Sequence, residues 1–174
     1  MTGTPSSSHR LPPGLAVTHP VLIITTWFGS GFLPWAPGTW GSLLALPFAA
    51  LLHYQFHETG LLAAAAIAFV VGWIASNSYL RANLSAKIDD ADPKAIVIDE
   101  VTGQWLTLAA APLDPLMFGV GFLFFRFFDI VKPWPASLID RRLKSGLGIM
   151  LDDVVAGIYA GAVLLIIQHF IGPN

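Results

Sequence analysis

The sequence predicts an all-α fold, a polytopic helical membrane protein with about four to five membrane helices and a broken or re-entrant segment near its N-terminus. Three observations carry that reading. Of 174 residues, 55% are hydrophobic and 11% charged, and the mean hydropathy is +0.66, which leaves too little polar surface to clothe a soluble globule. The apolar residues gather into four blocks, 41–56, 60–80, 101–130 and 154–171, most of them near the length a bilayer demands. Acidic and basic residues fall mainly between the blocks or at their ends.

Composition also excludes partners and chemistries. A net charge of -2 without a Lys/Arg run offers no surface for nucleic acid. The chain has no cysteine, so disulfides, thiolate metal sites, iron–sulfur clusters and cysteine-nucleophile chemistry are ruled out.

In chain order, residues 1–15 are rich in Pro and Ser and lack the charged and apolar regions of a signal peptide, so a disordered tail is expected. Residues 16–174 are expected to form a single integral-membrane catalytic domain. Its first apolar stretch, 16–28, is short and runs into GSGFLPWAPGTWGS, where four glycines and two prolines forbid a regular span. Irregular backbone is tolerated at membrane depth only where protein or water covers it, which marks this segment as lining a site. The 101–130 block is divided by APLDP, giving two short helices or a hairpin. Arg81, Lys87 and Lys94 precede that block, and Lys132, Arg141, Arg142 and Lys144 follow it. The positive-inside rule puts both loops in the cytoplasm, which favours the hairpin and turns HYQFHETG, residues 53–60, outward.

Two acidic pairs stand in similar contexts, IVIDEVTG with Asp99 and Glu100, and IMLDDVVAG with Asp152 and Asp153. Each is expected at a helix entrance, where free N–H groups and the dipole favour anions. One acid per helix would suffice for capping. Four acids beside a low-dielectric slab repel one another unless a cation sits among them, so a shared metal site is weighed against solvated caps. Oxygen ligands without nearby His or Cys favour Mg²⁺ over Zn²⁺. The small residues Gly103, Gly157 and Gly161 would let the two helices approach closely.

Between the pairs, Arg126, Asp129 and Lys132 recur every three residues on a helix that Pro133 ends. Arg126, flanked by phenylalanines, needs a partner or an anionic group inside the bundle. Arg grips phosphate oxygens bidentately. For Lys132, Arg141 and Arg142, positive-inside anchoring is an equal alternative. In PGTWGS, Thr39 or Ser42 could cap the helix entering at Gly41 and its N–H groups could meet phosphate; a plain structural break explains the segment equally well. Together these features suit phosphoryl transfer at the lipid–water boundary.

The sequence resembles the phosphatidylglycerophosphatase A family, bacterial integral-membrane enzymes that use Mg²⁺ to remove the terminal phosphate of phosphatidylglycerophosphate. The resemblance rests on GSGFLPWAPGTWGS, IVIDEVTGQW, FRFFDIVKPWP and DRRLKSGLGIMLDDVVAG, in that order. It implies an acidic metal centre of Asp99, Glu100, Asp129, Asp152 and Asp153, with Arg126 and Lys132 near the phosphate and Asp140 a further candidate. It implies a multi-pass protein of the bacterial cytoplasmic membrane, with its active site facing the cytoplasm among membrane lipids. Oligomeric state is open. Neither a DxDxT motif nor the motifs of His-nucleophile lipid phosphatases are present, so a metal-activated water is the default route and a transient aspartyl-phosphate the lesser one. His53 and His57 are spaced as ligands but face away from the acids. Trp27, Trp35, Trp40, Trp105 and Trp134 suit interface anchors or site walls. An ion-coupled transporter using the same carboxylates is the alternative function, disfavoured because the acids sit at block ends and no inverted repeat is evident.

Overall fold

A computed structural model describes residues 14–86 and 93–171. The expected tail lies almost wholly outside the described residues, as does Lys87, and Leu15 already packs against the core. Every regular element among the described residues is helical: α1 (Pro20–Thr25), a 3₁₀ turn (Ser30–Phe32), α2 (Pro37–Ser85), α3 (Ile98–Leu108), α4 (Pro115–Val131), α5 (Ala136–Arg142) and α6 (Gly146–Ile171). Among the described residues, two helices are long and apolar enough to cross a membrane, Pro37–Ser85 and Gly146–Phe170.

The N-terminal segment is broken as the glycines and prolines require. Pro20 starts α1 with φ preset, and His19 Nδ1 accepts a hydrogen bond from the Val21 N–H at 3.2 Å. Six residues later the helix stops. Thr25 and Thr26 return their hydroxyls to the Val21 and Leu22 carbonyls, and Trp27, Phe28 and Gly29 all take positive φ. The Val97 N–H donates to the Thr25 carbonyl at 2.8 Å, fastening this segment beside the start of α3.

α2 is a hairpin of two arms. A Cβ on Gly41 would touch Val97, and one on Gly72 would touch the neighbouring Ile98. A straight helix would hold those glycines roughly 45 Å apart at its 1.5 Å rise per residue, so the chain must fold back between them. It does so at His57, the one internal residue with non-helical angles (φ 58, ψ -167). The arms, 37–56 and 58–85, match the first two apolar blocks.

The third block is also a hairpin. α3 and α4 are joined across residues 109–114, and Asp114 caps α4 by accepting from the Met117 N–H at 2.9 Å, with Pro115 in the first turn. Gly121 of α4 meets Leu108 of α3, and Phe125 lies over Gly103. α6 packs on the other side of α3. Gly157 needs to be glycine there, because a Cβ would stand 2.6 Å from the Gly103 carbonyl oxygen. Close backbone approach of this kind is how membrane helices associate when burial from water drives nothing. Trp105 ties α3 to the first arm by donating its indole N–H to the Ala45 carbonyl at 3.1 Å.

Outward faces remain apolar: Ile67, Ile74, Leu123, Leu165 and Ile166 are each more than half exposed. Polar residues concentrate at one end, where α2 begins, α3 and α6 begin, and α4 finishes. The His57 turn lies at the opposite end, with His53 stacked on Phe118 near the start of α4.

Candidate active site

Four elements deliver the site. Asp99 and Glu100 occupy the first turn of α3, where the Val97 N-cap supplies no side-chain hydrogen bond to the leading backbone N–H groups. Asp152 and Asp153 are placed differently from the expected helix entrance. α6 begins at Gly146, with the Gly148 N–H donating to Ser145 Oγ at 3.4 Å, so this pair stands in the second turn. The small apolar run GLGIM extends the helix upstream of the acids. Asp152 and Asp153 are only 5% and 3% exposed, which eliminates the solvated-cap alternative for them.

The Gly103–Gly157 contact sets α3 against α6 at a distance that brings both pairs together. One carboxylate oxygen from each of Asp99, Glu100 and Asp153 lies within 4.8 Å of the others. Asp129 and Asp152 stand outside this trio: Asp129 pairs with Arg126 at 2.5 Å, and Asp152 pairs with Lys132. Arg126 also lies 3.8 Å from Glu100 and donates to Ser42 Oγ at 3.4 Å. Lys132, in a left-handed conformation just past α4, reaches Asp140 at 3.1 Å as well. Asp129 neighbours Asp153, which joins the two groups into one network.

This network walls a cavity of about 370 Å³ that also includes Ala36, Gly38, Lys94 and Ile130. Ser42 is fully buried behind it and acts on Arg126. It does not cap α2, because its hydroxyl returns to the Gly38 carbonyl at 2.9 Å and the N-cap position is Ala36, without a side-chain bond. Thr39 is half-buried and is not among the cavity walls. Gly38 has a specific reason to lack a side chain, since a Cβ there would stand 1.9 Å from Glu100 Oε1.

Lys132 stands just beyond the last residue of α4. Burial opposes its charge, but hydrogen bonds and attraction from Asp152 and Asp140 outweigh it and hold the ammonium protonated above its usual range.

The carboxylates are short of donors. Asp99 Oδ1, Glu100 Oε2, Asp152 Oδ1 and Asp153 Oδ2 are buried without a hydrogen-bond partner. Unpaired buried acceptors of this charge are costly, and a divalent cation is the partner that fits them. The donor set is all oxygen, which suits Mg²⁺.

Sequence reasoning missed two contributors to the cavity wall. Gly38 carries no chemical signal, and its role follows from a contact across the fold. Lys94 read only as a topological charge. Gln104, one helical turn below Glu100, is fully buried with both amide atoms unpartnered and is not among the walls. His53 and His57 are at the far end, as their position outside the acidic motifs suggests. Trp105 is buried, while Trp35 and Trp134 are largely exposed.

The family model for phosphatidylglycerophosphatase A matches residues 23–168. The chain belongs to the phosphatidylglycerophosphatase A family. A phosphatidylglycerophosphatase A of Escherichia coli (strain K12) is 35% identical over 97% of this chain and 95% of the relative. One from Haemophilus influenzae is 37% identical over 90% of this chain and 93% of the relative. A putative phosphatidylinositol-3-phosphatase of Bacteroides thetaiotaomicron is 38% identical over 87% of this chain and 95% of the relative. No solved structure matches. Membership in the phosphatidylglycerophosphatase A family makes the chain a phosphatase, a hydrolase, and disfavours the transporter alternative.

Proposed function

We propose that this protein is a Mg²⁺-dependent lipid phosphatase that hydrolyses phosphatidylglycerophosphate to phosphatidylglycerol and phosphate at the cytoplasmic face of the bacterial inner membrane. The observation that carries it is the convergence of Asp99, Glu100 and Asp153 on a cavity that also presents Arg126 and Lys132, in a chain of this family.

The acids divide the work. Asp99, Glu100 and Asp153 would hold the ion, and Asp152 and Asp129 border it. A bound Mg²⁺ supplies positive charge against the phosphate oxygens. Arg126 and Lys132 are themselves held in place by Asp129 and Asp152, so both cations are pre-aimed into the cavity and need little ordering when phosphate arrives. Arg126 offers paired N–H donors, and Ser42 steadies its guanidinium from behind. Hydrolysis forms a bond from water oxygen to phosphorus and breaks the bond between phosphorus and the glycerol oxygen. The proton lost by the water passes to a carboxylate of the cluster, and a proton returned from the cluster goes to the departing glycerol oxygen, which leaves as the hydroxyl of phosphatidylglycerol.

Burial in the bilayer would involve both arms of α2, the α3–α4 hairpin and α6, with the acidic end toward the cytoplasm because Arg81, Lys94, Lys132, Arg141 and Arg142 lie on that side. The direct test is phosphate release from phosphatidylglycerophosphate by the purified protein in detergent. Release with Mg²⁺ that stops with EDTA and returns on adding Mg²⁺ is expected; turnover undiminished by EDTA would sink the metal reading.

A further inference from the structure

We propose that the seam between the first arm of α2 and α4 holds an acyl chain of the substrate, so that the lipid reaches the acids sideways from the bilayer; this rests on the lipid-phosphatase reading above. The polar cavity is open at its flank, since one of its walls is Ile130, which is 69% exposed. Below it, α4 aligns Ile130, Arg126, Leu123 and Gly119 down one stripe at helical spacing. Arg126 reaches from that stripe to Ser42 on the first arm, which locates the seam. Gly119 adds no side chain to this stripe, and a Cβ there would stand in open space with no atom within 4 Å.

At the other end of the same seam, Leu46, Pro47, Ala50, Leu113 and Phe118, with Asp114 also in the wall, bound a largely apolar hollow of about 370 Å³. Phe118 is eight residues from Arg126, roughly 12 Å along the helix. One seam therefore carries an anion site at its top and an apolar hollow beneath, the order of groups in a lipid phosphate. A second apolar groove, walled by Leu62 of the second α2 arm, Leu106 of α3 and Leu165 of α6, is the competing place for an acyl chain, and none of its lining residues is shared with the polar cavity.

The test uses the full chain in detergent micelles, with dipalmitoyl and dihexanoyl phosphatidylglycerophosphate as paired substrates. Gly119→Phe sets a ring across the open stripe, and Ala162→Phe fills the groove between α2, α3 and α6 as the control. Gly119→Phe is expected to lower kcat/KM about tenfold for the long-chain lipid, what losing burial of roughly two methylenes corresponds to. Turnover of the short-chain lipid should stay within about twofold, which also certifies the fold. Should Gly119→Phe abolish both activities, the smaller Gly119→Leu decides, and equal losses on both substrates there overturn the proposal. Partial but equal effects of Gly119→Phe on both substrates, no effect on either, or a long-chain-selective loss from Ala162→Phe would also overturn it. An unmodified protein that hydrolyses neither lipid would instead overturn the lipid-phosphatase reading.

Discussion

Asp153 illustrates how much a single residue's environment adds to its identity. It is 3% exposed, has an oxygen without a donor, and converges with Asp99 and Glu100. Replacing Asp153 or Asp99 by Asn keeps the volume and removes the charge. Each variant is expected to lose at least about a hundredfold in Mg²⁺-dependent phosphate release, the scale of one preorganised electrostatic group, while remaining monodisperse in detergent. Full turnover by either variant would remove that residue from the metal site. Arg126 should behave differently, because in the proposed reaction it meets phosphate instead of the ion. Arg126→Ala is expected to raise KM roughly ten- to hundredfold, corresponding to one lost charge-assisted hydrogen bond; unchanged kinetics would leave it a packing residue that satisfies Asp129. Asp99, Glu100, Asp152, Asp153 and Arg126 were legible as candidates from residue type and apolar surroundings, whereas Asp129 joined the acidic centre through the family resemblance and Lys132 read equally well as a membrane anchor. The division of the acids into a converging trio and two ion-paired residues was not legible, because pairing depends on which helix faces which.

At the level of elements, the hairpin in α2 depends on one turn. His57 holds φ at 58 with ψ extended, a region that costs a non-glycine residue about 1–3 kcal/mol. His57→Gly should relieve part of that strain and raise the apparent Tm in detergent by a few degrees without changing kcat. A lowered Tm would mean that contacts of the imidazole hold the turn. The block boundaries in the sequence placed this break within a few residues, since HYQFHETG is the only polar interruption between two apolar runs. The start of α6 was misplaced for the opposite reason. Its first two turns are built from GLGIM and the acids themselves, and an apolar-block criterion discards acids even when tertiary partners bury them.

For the whole molecule, the orientation in the membrane is the property most open to a clean measurement, because the chain has no cysteine of its own. Single cysteines replacing Lys94, at the acidic end, and Glu58, beside the hairpin turn, should be labelled by a membrane-impermeant thiol reagent from opposite sides. Lys94→Cys should react only in inside-out vesicles, and Glu58→Cys only in spheroplasts. Labelling of both from one side would refute the two-arm traversal by α2. Sequence charge pattern alone supported this orientation, since both basic loops flank the 101–130 block.

By itself the sequence determined the solvent this protein lives in, its helical class, the broken N-terminal segment and the residues able to do chemistry, because hydropathy, glycine and proline content and side-chain type act locally. Only the tertiary structure decided which carboxylates meet, that Gly38 must leave room for Glu100, and that Ser42 braces Arg126 instead of capping α2. Those outcomes depend on contacts between residues far apart in the chain, set by helix packing at the Gly103–Gly157 crossing, and no local pattern encodes them.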